Sequence, residues 1–283
     1  MITLKTVQET REITESWIKQ GLKIGFVPTM GCLHDGHVSL IKRARSENDK
    51  VVVSIFVNPI QFGPNEDFER YPRDLGRDCL ICEKTEADLV FAPSVDEMFP
   101  CHNLAFVDIK ELGDYLCGAK RPGHFRGVCT IVSKFFNIIR PDRAYFGEKD
   151  FQQLAIIQQM TLGLSFSTQI VACPTVRESD GLALSSRNSY LSDVERRAAR
   201  VIPKSLDLAR NALAGGERDA TTLKNIIIQK VATEPLAMVD YIEVVDATLL
   251  KPIPRIDRPA IVAVAVFIGE TRLIDHFLIE EGF

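Results

Sequence analysis

The stretch P-T-M-G-C-L-H-D-G-H, residues 28–37, follows the apolar run Ile24-Gly25-Phe26-Val27 and precedes an amphipathic segment at 38–48. That order reads as strand, glycine-bearing turn and helix. Such a turn presents backbone N–H groups and the positive end of a helix to an anion, phosphate being the usual one. His34 and His37 stand where both can meet that anion, and Gly31 and Gly36 remove side chains where a ligand or the backbone must come close. Locally, the stretch reads as a nucleotide-phosphate site.

Outward from it, the chain alternates strands and helices. Strand-like runs fall at 24–27, 51–57, 89–92, 144–146 and 168–172, several of them continuously apolar, as expected of strands covered on both faces. Helical segments lie at 38–48, 75–86, 131–139 and 150–162. This rhythm predicts an α/β fold with a mostly parallel sheet, whose ligands gather at the carboxyl ends of the strands. The distinctive residues fall at those ends: Asn58 to Gly63 after the second strand, Gly147-Glu148-Lys149-Asp150 after the fourth, and 176–188 after the fifth. Four segments distant in sequence are thus expected on one rim.

Past about residue 175 the pattern changes. Ser192-Asp193-Val194-Glu195 is a capping box that starts a helix running to about Ala214, and a second helix is expected at 221–233. Runs at 239–245, 261–268 and 272–279, the last two joined by Gly269-Glu270, predict a small antiparallel sheet. The expected organisation is a Rossmann-like domain at 1–175 and a smaller α+β domain at 176–283.

Composition narrows the function classes. The net charge of −4 has both signs mixed along the chain, which excludes the basic patch of a nucleic-acid binder. No apolar run approaches the roughly 18 residues of a membrane span. The N-terminus has no basic region followed by an apolar stretch, so no secretory signal is expected. The seven cysteines show no disulfide-framework spacing. Cys79 and Cys82 form a C-x-x-C without a second ligand pair, and read as core residues of a helix that also packs Leu75. A reduced, cytoplasmic protein is the simpler account.

Each candidate residue also has an ordinary reading. Lys149 at a helix start is mildly unfavourable against the helix dipole unless a phosphate binds beside it. Asp150 can be a plain N-cap. Ser185-Ser186-Arg187 can be a polar loop, or a clamp for a polyphosphate. Asn58 and Gln61 can be turn formers, or can bind a hydroxyl or carboxylate.

Five segments carry a resemblance: P-T-M-G-C-L-H-D-G-H (28–37), F-V-N-P-I-Q-F-G-P-N-E-D-F-E-R-Y-P-R (56–73), R-P-G-H-F-R-G-V (121–128), P-D-R-A-Y-F-G-E-K-D-F-Q-Q-L (141–154) and P-T-V-R-E-S-D-G-L-A-L-S-S-R-N (174–188). Together with T-R-L-I-D (271–275), they resemble the pantothenate synthetase family, also called pantoate–β-alanine ligase. The H-x-G-H element alone is shared with a wider group of nucleotidyltransferases; the five together are specific.

The resemblance implies that ATP and (R)-pantoate give pantoyl adenylate and pyrophosphate with magnesium, and that β-alanine then displaces AMP. It implies that Met30, Gly31, Cys32, Leu33, His34, Asp35, Gly36 and His37 hold ATP, with His34, His37 and Lys149 catalytic. Gly147, Glu148, Lys149 and Asp150 are implied as a second nucleotide segment, and Val176, Leu184, Ser185, Ser186 and Arg187 as a third. Gln61, Gln153 and Asn58 are implied to bind pantoate, Gln61 also β-alanine; the metal ligands stay unknown. A C-terminal domain covering the site and a homodimer are further implications. The alternative is another H-x-G-H adenylyltransferase with a phosphate or carboxylate acceptor. Two departures from the family pattern, Cys32 and His276, fall on no catalytic position.

Overall fold

The computed structural model describes residues 1–64, 66–100 and 105–280; Asn65 of the second family segment lies outside them. The chain divides into two compact units, Met1–Lys110 with Arg121–Pro174, and Glu111–Lys120 with Thr175–Phe283.

The first unit opens with β1 (Ile2–Leu4), α1 (Val7–Lys19), β2 (Ile24–Thr29), α2 (Asp35–Glu47), β3 (Lys50–Ile55), α3 (Leu75–Lys84), β4 (Leu89–Phe91) and the short α4 (Val95–Met98). The chain passes through α5 (Leu116–Lys120), which belongs to the second unit, and returns with α6 (His124–Ile139), β5 (Arg143–Gly147), α7 (Phe151–Gly163) and β6 (Gln169–Cys173). The six strands form one parallel sheet in the order β1-β4-β3-β2-β5-β6. Val51, Val52 and Val53 of β3 and Leu89, Val90 and Phe91 of β4 are fully buried, which explains their unbroken apolar runs. The chain builds outward from β2 through β3 to β4, then adds β5 and β6 on the other side of β2. The β2–β5 boundary is therefore the switch point, whose carboxyl ends are where open sheets of this kind bind ligands.

The second unit adds α8 (Asp193–Ala198), α9 (Val201–Ala214), α10 (Ala220–Val231) and an antiparallel sheet β7 (Ala237–Asp246), β8 (Ala260–Ile268), β9 (Thr271–Ile279). Every residue of β8 except Phe267 is buried, and the sheet shares one apolar core with α9 and α10.

Some expectations need correction. The helix expected from 192 to 214 is two helices, α8 and α9, broken near Ala199 and Arg200. Pro203 is the cause: it lacks an N–H and is tolerated only in a first turn, so the helix restarts two residues before it. The third of the expected helices, α6, starts at His124, not 131, because Gly123 (φ +82°) sets its N-cap and Gly127 lies inside it. β1 and α1 were not expected at all. The fully buried residues of α1 are Thr10 and Thr14, whose hydroxyls bond to the carbonyls of Thr6 and Arg11, so polar residues interrupt the apolar period of Val7, Ile13, Trp17 and Ile18.

Within the second unit, Asp275 on β9 is buried and takes two bonds from Arg177, at 2.7 and 2.8 Å. Arg177 also donates to the Gly181 carbonyl at 3.0 Å, which fixes the turn ahead of Ser185. Removing one partner of a buried pair costs several kcal/mol, less here because Arg177 is one-third exposed. Asp275→Asn is expected to lower the unfolding free energy in urea by about 2 kcal/mol. A change below about 0.5 kcal/mol would show that the pair is not holding this turn.

Candidate active site

The site begins with a helix end that must be capped. His34 is the N-cap of α2, and its Nδ1 accepts from the Gly36 N–H at 3.1 Å. His37, three residues on, does the converse: its Nδ1 accepts from the His34 N–H at 3.3 Å. The pair is a capping box built from imidazoles, the rings 4.1 Å apart between centroids. α2 therefore starts at Asp35, three residues earlier than expected, and Gly36 and His37 belong to its first turn.

This geometry sets the protonation state. Each Nδ1 accepts a backbone N–H, so the neutral ring carries its proton on Nε2 and can donate there. Burial and then Lys149 lower the His34 pKa to about 4. Burial and then His34 lower that of His37 to about 3. Both rings are neutral hydrogen-bond donors at neutral pH.

The turn before α2 is held by a residue that the sequence reading overlooked. Asp78 on α3 is 1% exposed, and its carboxylate accepts from the N–H groups of Cys32 and Leu33, both at 2.8 Å. Those bonds stabilise Cys32 in the left-handed region at φ +52°. Gly31, at φ +83°, cannot carry a side chain: a Cβ would lie 2.9 Å from Asp78 Oδ2. Burial raises the Asp78 pKa, and the two N–H donors oppose that rise. The signal was available, since Asp78 lies one helical turn before the fully buried Cys82. Leu75, expected to pack with the cysteines, is instead exposed. Cys82 is a core thiol, pushed up to about 12 by burial, and no metal-holding group of His, Cys, Asp or Glu occurs among the described residues.

Beyond β5 the chain makes a single helical turn, Glu148–Asp150, before α7. Lys149 Nζ lies 3.6 Å from Asp150 Oδ1. Asp150 is the N-cap of α7, yet its side chain makes no capping bond, so plain capping does not account for it. Gln153 lies in the first turn of α7 and is half-buried.

After β3, Asn58 and Gln61 flank a single turn. Asn58, 1% exposed, donates from Nδ2 to Gln61 Oε1 at 3.0 Å and to the Gly127 carbonyl at 3.1 Å. Gln61 Nε2 lies 3.1 Å from Met30 Sδ. The amide of Gln61 is thus oriented, with its oxygen engaged and its N–H₂ toward the β2 turn. Asn58 Oδ1 is buried without a hydrogen-bond partner.

Three of the four expected segments therefore stand at the carboxyl ends of the neighbouring strands β3, β2 and β5. The fourth, with Val176 and Leu184 to Arg187, belongs to the second unit. There Ser185 caps the turn Ser186–Tyr190 by accepting from the Arg187 N–H at 3.3 Å. Asn188 bonds Glu178 and the Ala183 carbonyl, and Glu178 and Asp180 both pair with Arg196.

A doubly wound sheet with a helix N-terminus, two imidazole donors and a lysine at its switch point defines an α/β enzyme that handles a phosphorylated substrate. Comparison with known proteins is more specific. The pantoate–β-alanine ligase family profile matches residues 2–278. The pantothenate synthetase of Clostridium acetobutylicum is 55% identical over 277 residues, 98% of this chain and 99% of that protein. That of Fervidobacterium nodosum is 53% identical, covering 99% of each. The crystal structure of the Thermus thermophilus pantothenate synthetase superimposes with a TM-score of 0.92 at 43% identity, over 98% of this chain and 99% of that one. The Francisella tularensis pantoate–β-alanine ligase, complexed with β-γ ATP and β-alanine, matches at TM-score 0.81 and 39% identity, over 98% and 97%. The chain belongs to the pantoate–β-alanine ligase family.

Two outcomes are expected. An asparagine at 78 can accept through one atom only, so Asp78→Asn should cost about 1–3 kcal/mol in urea unfolding; an unchanged midpoint and slope would discount the clamp. The histidine pair makes stability depend on pH. Unfolded histidine titrates near 6.5, above the folded values of about 4 and about 3. As pH falls through that window the unfolded chain binds protons that the folded chain does not, so stability falls. His37→Gln should flatten this acid limb, and an identical slope in the variant would refute the neutral pair.

Proposed function

We propose that this chain joins pantoate to β-alanine in two steps, with the first unit's switch point as the adenylating site. As a member of its family it is an ATP-dependent ligase forming a carbon–nitrogen bond. In the first step a pantoate carboxylate oxygen attacks the α-phosphorus of ATP and pyrophosphate leaves. In the second the β-alanine amine attacks the acyl carbon of pantoyl adenylate, AMP leaves, and the amine sheds a proton.

The observation that carries this reading is the imidazole capping box beside Lys149. Charge accumulates on the α-phosphate and the leaving pyrophosphate, and fixed donors stabilise it. Nε2–H of His34 and of His37 supply neutral donors and Lys149 the cation, with Met30 to His37 enclosing the triphosphate. Their low pKa values favour hydrogen bonding to phosphate over acid catalysis in the free protein. Gly147, Glu148 and Asp150 accompany Lys149, Asp150 toward the ribose. Val176 and Leu184 to Arg187 form the third nucleotide segment, a role resting on the family resemblance.

Gln61, Gln153 and Asn58 receive pantoate, and Gln61 also β-alanine. Neutral amides hold a carboxylate without quenching it as an arginine would, which favours a carboxylate nucleophile over a phosphate acceptor. Magnesium fits as a companion of ATP: it keeps several waters and leans on substrate phosphates, consistent with the absence of a metal-holding cluster among the described residues. A homodimer, resting on the resemblance, and a cytoplasmic location, resting on the scattered cysteines, complete the proposal. No described helix is long and apolar enough to cross a membrane.

The test is AMP release from ATP and magnesium, with pantoate and β-alanine added separately and together. Release is expected only with both; release independent of either would sink the assignment. His37→Ala and Lys149→Ala should each slow pyrophosphate formation in the first step at least about a hundredfold, the scale of one transition-state contact. Near-normal rates would remove the roles given to them.

A further inference from the structure

The segment R-P-G-H-F-R-G-V, residues 121–128, has a definite job in the first unit that its sequence did not disclose. Arg121 pairs with Glu66 through two nitrogens, at 2.7 and 2.5 Å. A third nitrogen, Nη1, lies 3.0 Å from His124 Nε2. A guanidinium only donates, so Nε2 must accept, and the His124 ring proton must sit on Nδ1. That nitrogen lies 2.7 Å from the carbonyl oxygen of Gln61 and therefore donates to it. One turn further along α6, Gly127 packs against the same backbone: a Cβ there would lie 2.4 Å from the Ile60 oxygen and 2.6 Å from Gln61 Cα. The Gly127 carbonyl in turn holds Asn58 Nδ2.

We propose that His124 is a positioning residue for the ligation, its Nδ1–H fixing the Gln61 backbone and Arg121 fixing the tautomer that makes this possible. This rests on the reading of Gln61 as the pantoate amide. Glu66 orients Arg121, Arg121 orients His124, and His124 together with Gly127 fixes where the Gln61 side chain begins. Asn58 then fixes where it ends. An arginine at this position is more than a surface ion pair, because its side chain is only 15% exposed and its fork is shared between a carboxylate and an imidazole.

Two measurements test the proposal. Nitrogen-15 NMR of the imidazoles in the intact protein should show His124 protonated on Nδ1, opposite to the Nε2–H form expected of His34 and His37. An Nε2–H signal for His124 would overturn the proposal, and this readout does not depend on the reaction. In kinetics, His124→Ala should lower kcat/KM for pantoate about tenfold, the worth of one positioned hydrogen bond, while KM for ATP stays within about twofold. His124→Asn, which can place an amide N–H near the lost Nδ1–H, should recover most of the loss. Equal losses for pantoate and ATP, or no recovery by asparagine in a folded variant, would reduce His124 to a structural residue. If the unmutated protein released no pyrophosphate in response to pantoate, the ligation reading would fail, and with it the role of His124, while the tautomer would stand.

Discussion

The N-terminus of α2 has to satisfy its own backbone and, in the proposed reaction, still face a substrate, and this double demand shapes the first unit. A serine or aspartate cap would satisfy the backbone with its whole functional group. Imidazole separates the two tasks, because Nδ1 of His34 and His37 accepts N–H groups while Nε2 stays available. The turn leading in must then be held by something other than the histidines. Asp78 does so, compensating the left-handed backbone at Cys32 and requiring glycine at 31. Sheet topology sets the rest, since β2 and β5 are the strands between which the sheet changes direction.

Charge is distributed with the same restraint. The protein is acidic overall, yet the groups proposed to meet phosphate are two neutral rings and a lysine already paired with Asp150. Keeping the imidazoles uncharged avoids burying a second and third cation beside Lys149, which the low local dielectric would make costly. In the proposed reaction, neutral donors also let the carboxylate stay nucleophilic. Gln61 follows the same logic, its oxygen occupied by Asn58 and its nitrogen left toward the β2 turn.

Much of this was legible in the sequence where apolar runs and glycines carried the message. The parallel strands read clearly because both faces are buried, and the Gly269-Glu270 hairpin read clearly because β8 and β9 meet in register across it. Three of the four candidate segments were legible as strand ends, those after β2, β3 and β5. What stayed hidden shares one cause: polar side chains acting inside the fold. α1 sets Thr10 and Thr14 at the centre of its inner face, where they break up the apolar stripe of Val7, Ile13, Trp17 and Ile18. Asp78 looks like any charged helix residue until its two N–H partners, 45 and 46 positions away, are brought to it. His124 is likewise silent, because Gln61, which it holds, and Glu66, which orients its neighbour Arg121, come from another segment. Asn58 was read as a ligand for substrate, and the geometry adds that it also steers its neighbour.

The excursion of residues 111–120 into the second unit has a bearing on how the chain is made. Cys117 meets Tyr241, 124 positions later, at 3.2 Å, and faces Arg272, 155 positions later. Lys120 pairs with Asp240. During synthesis α5 therefore emerges long before these partners exist. At about 5–20 residues per second, it waits on the order of 8 to 30 s for Arg272. Throughout that interval the first unit's chain runs on through α6, β5, α7 and β6, interrupted by a loop still awaiting its contacts. Assembly of the second unit is thus timed by the emergence of β9, and no cut at a single point in the chain separates the two units.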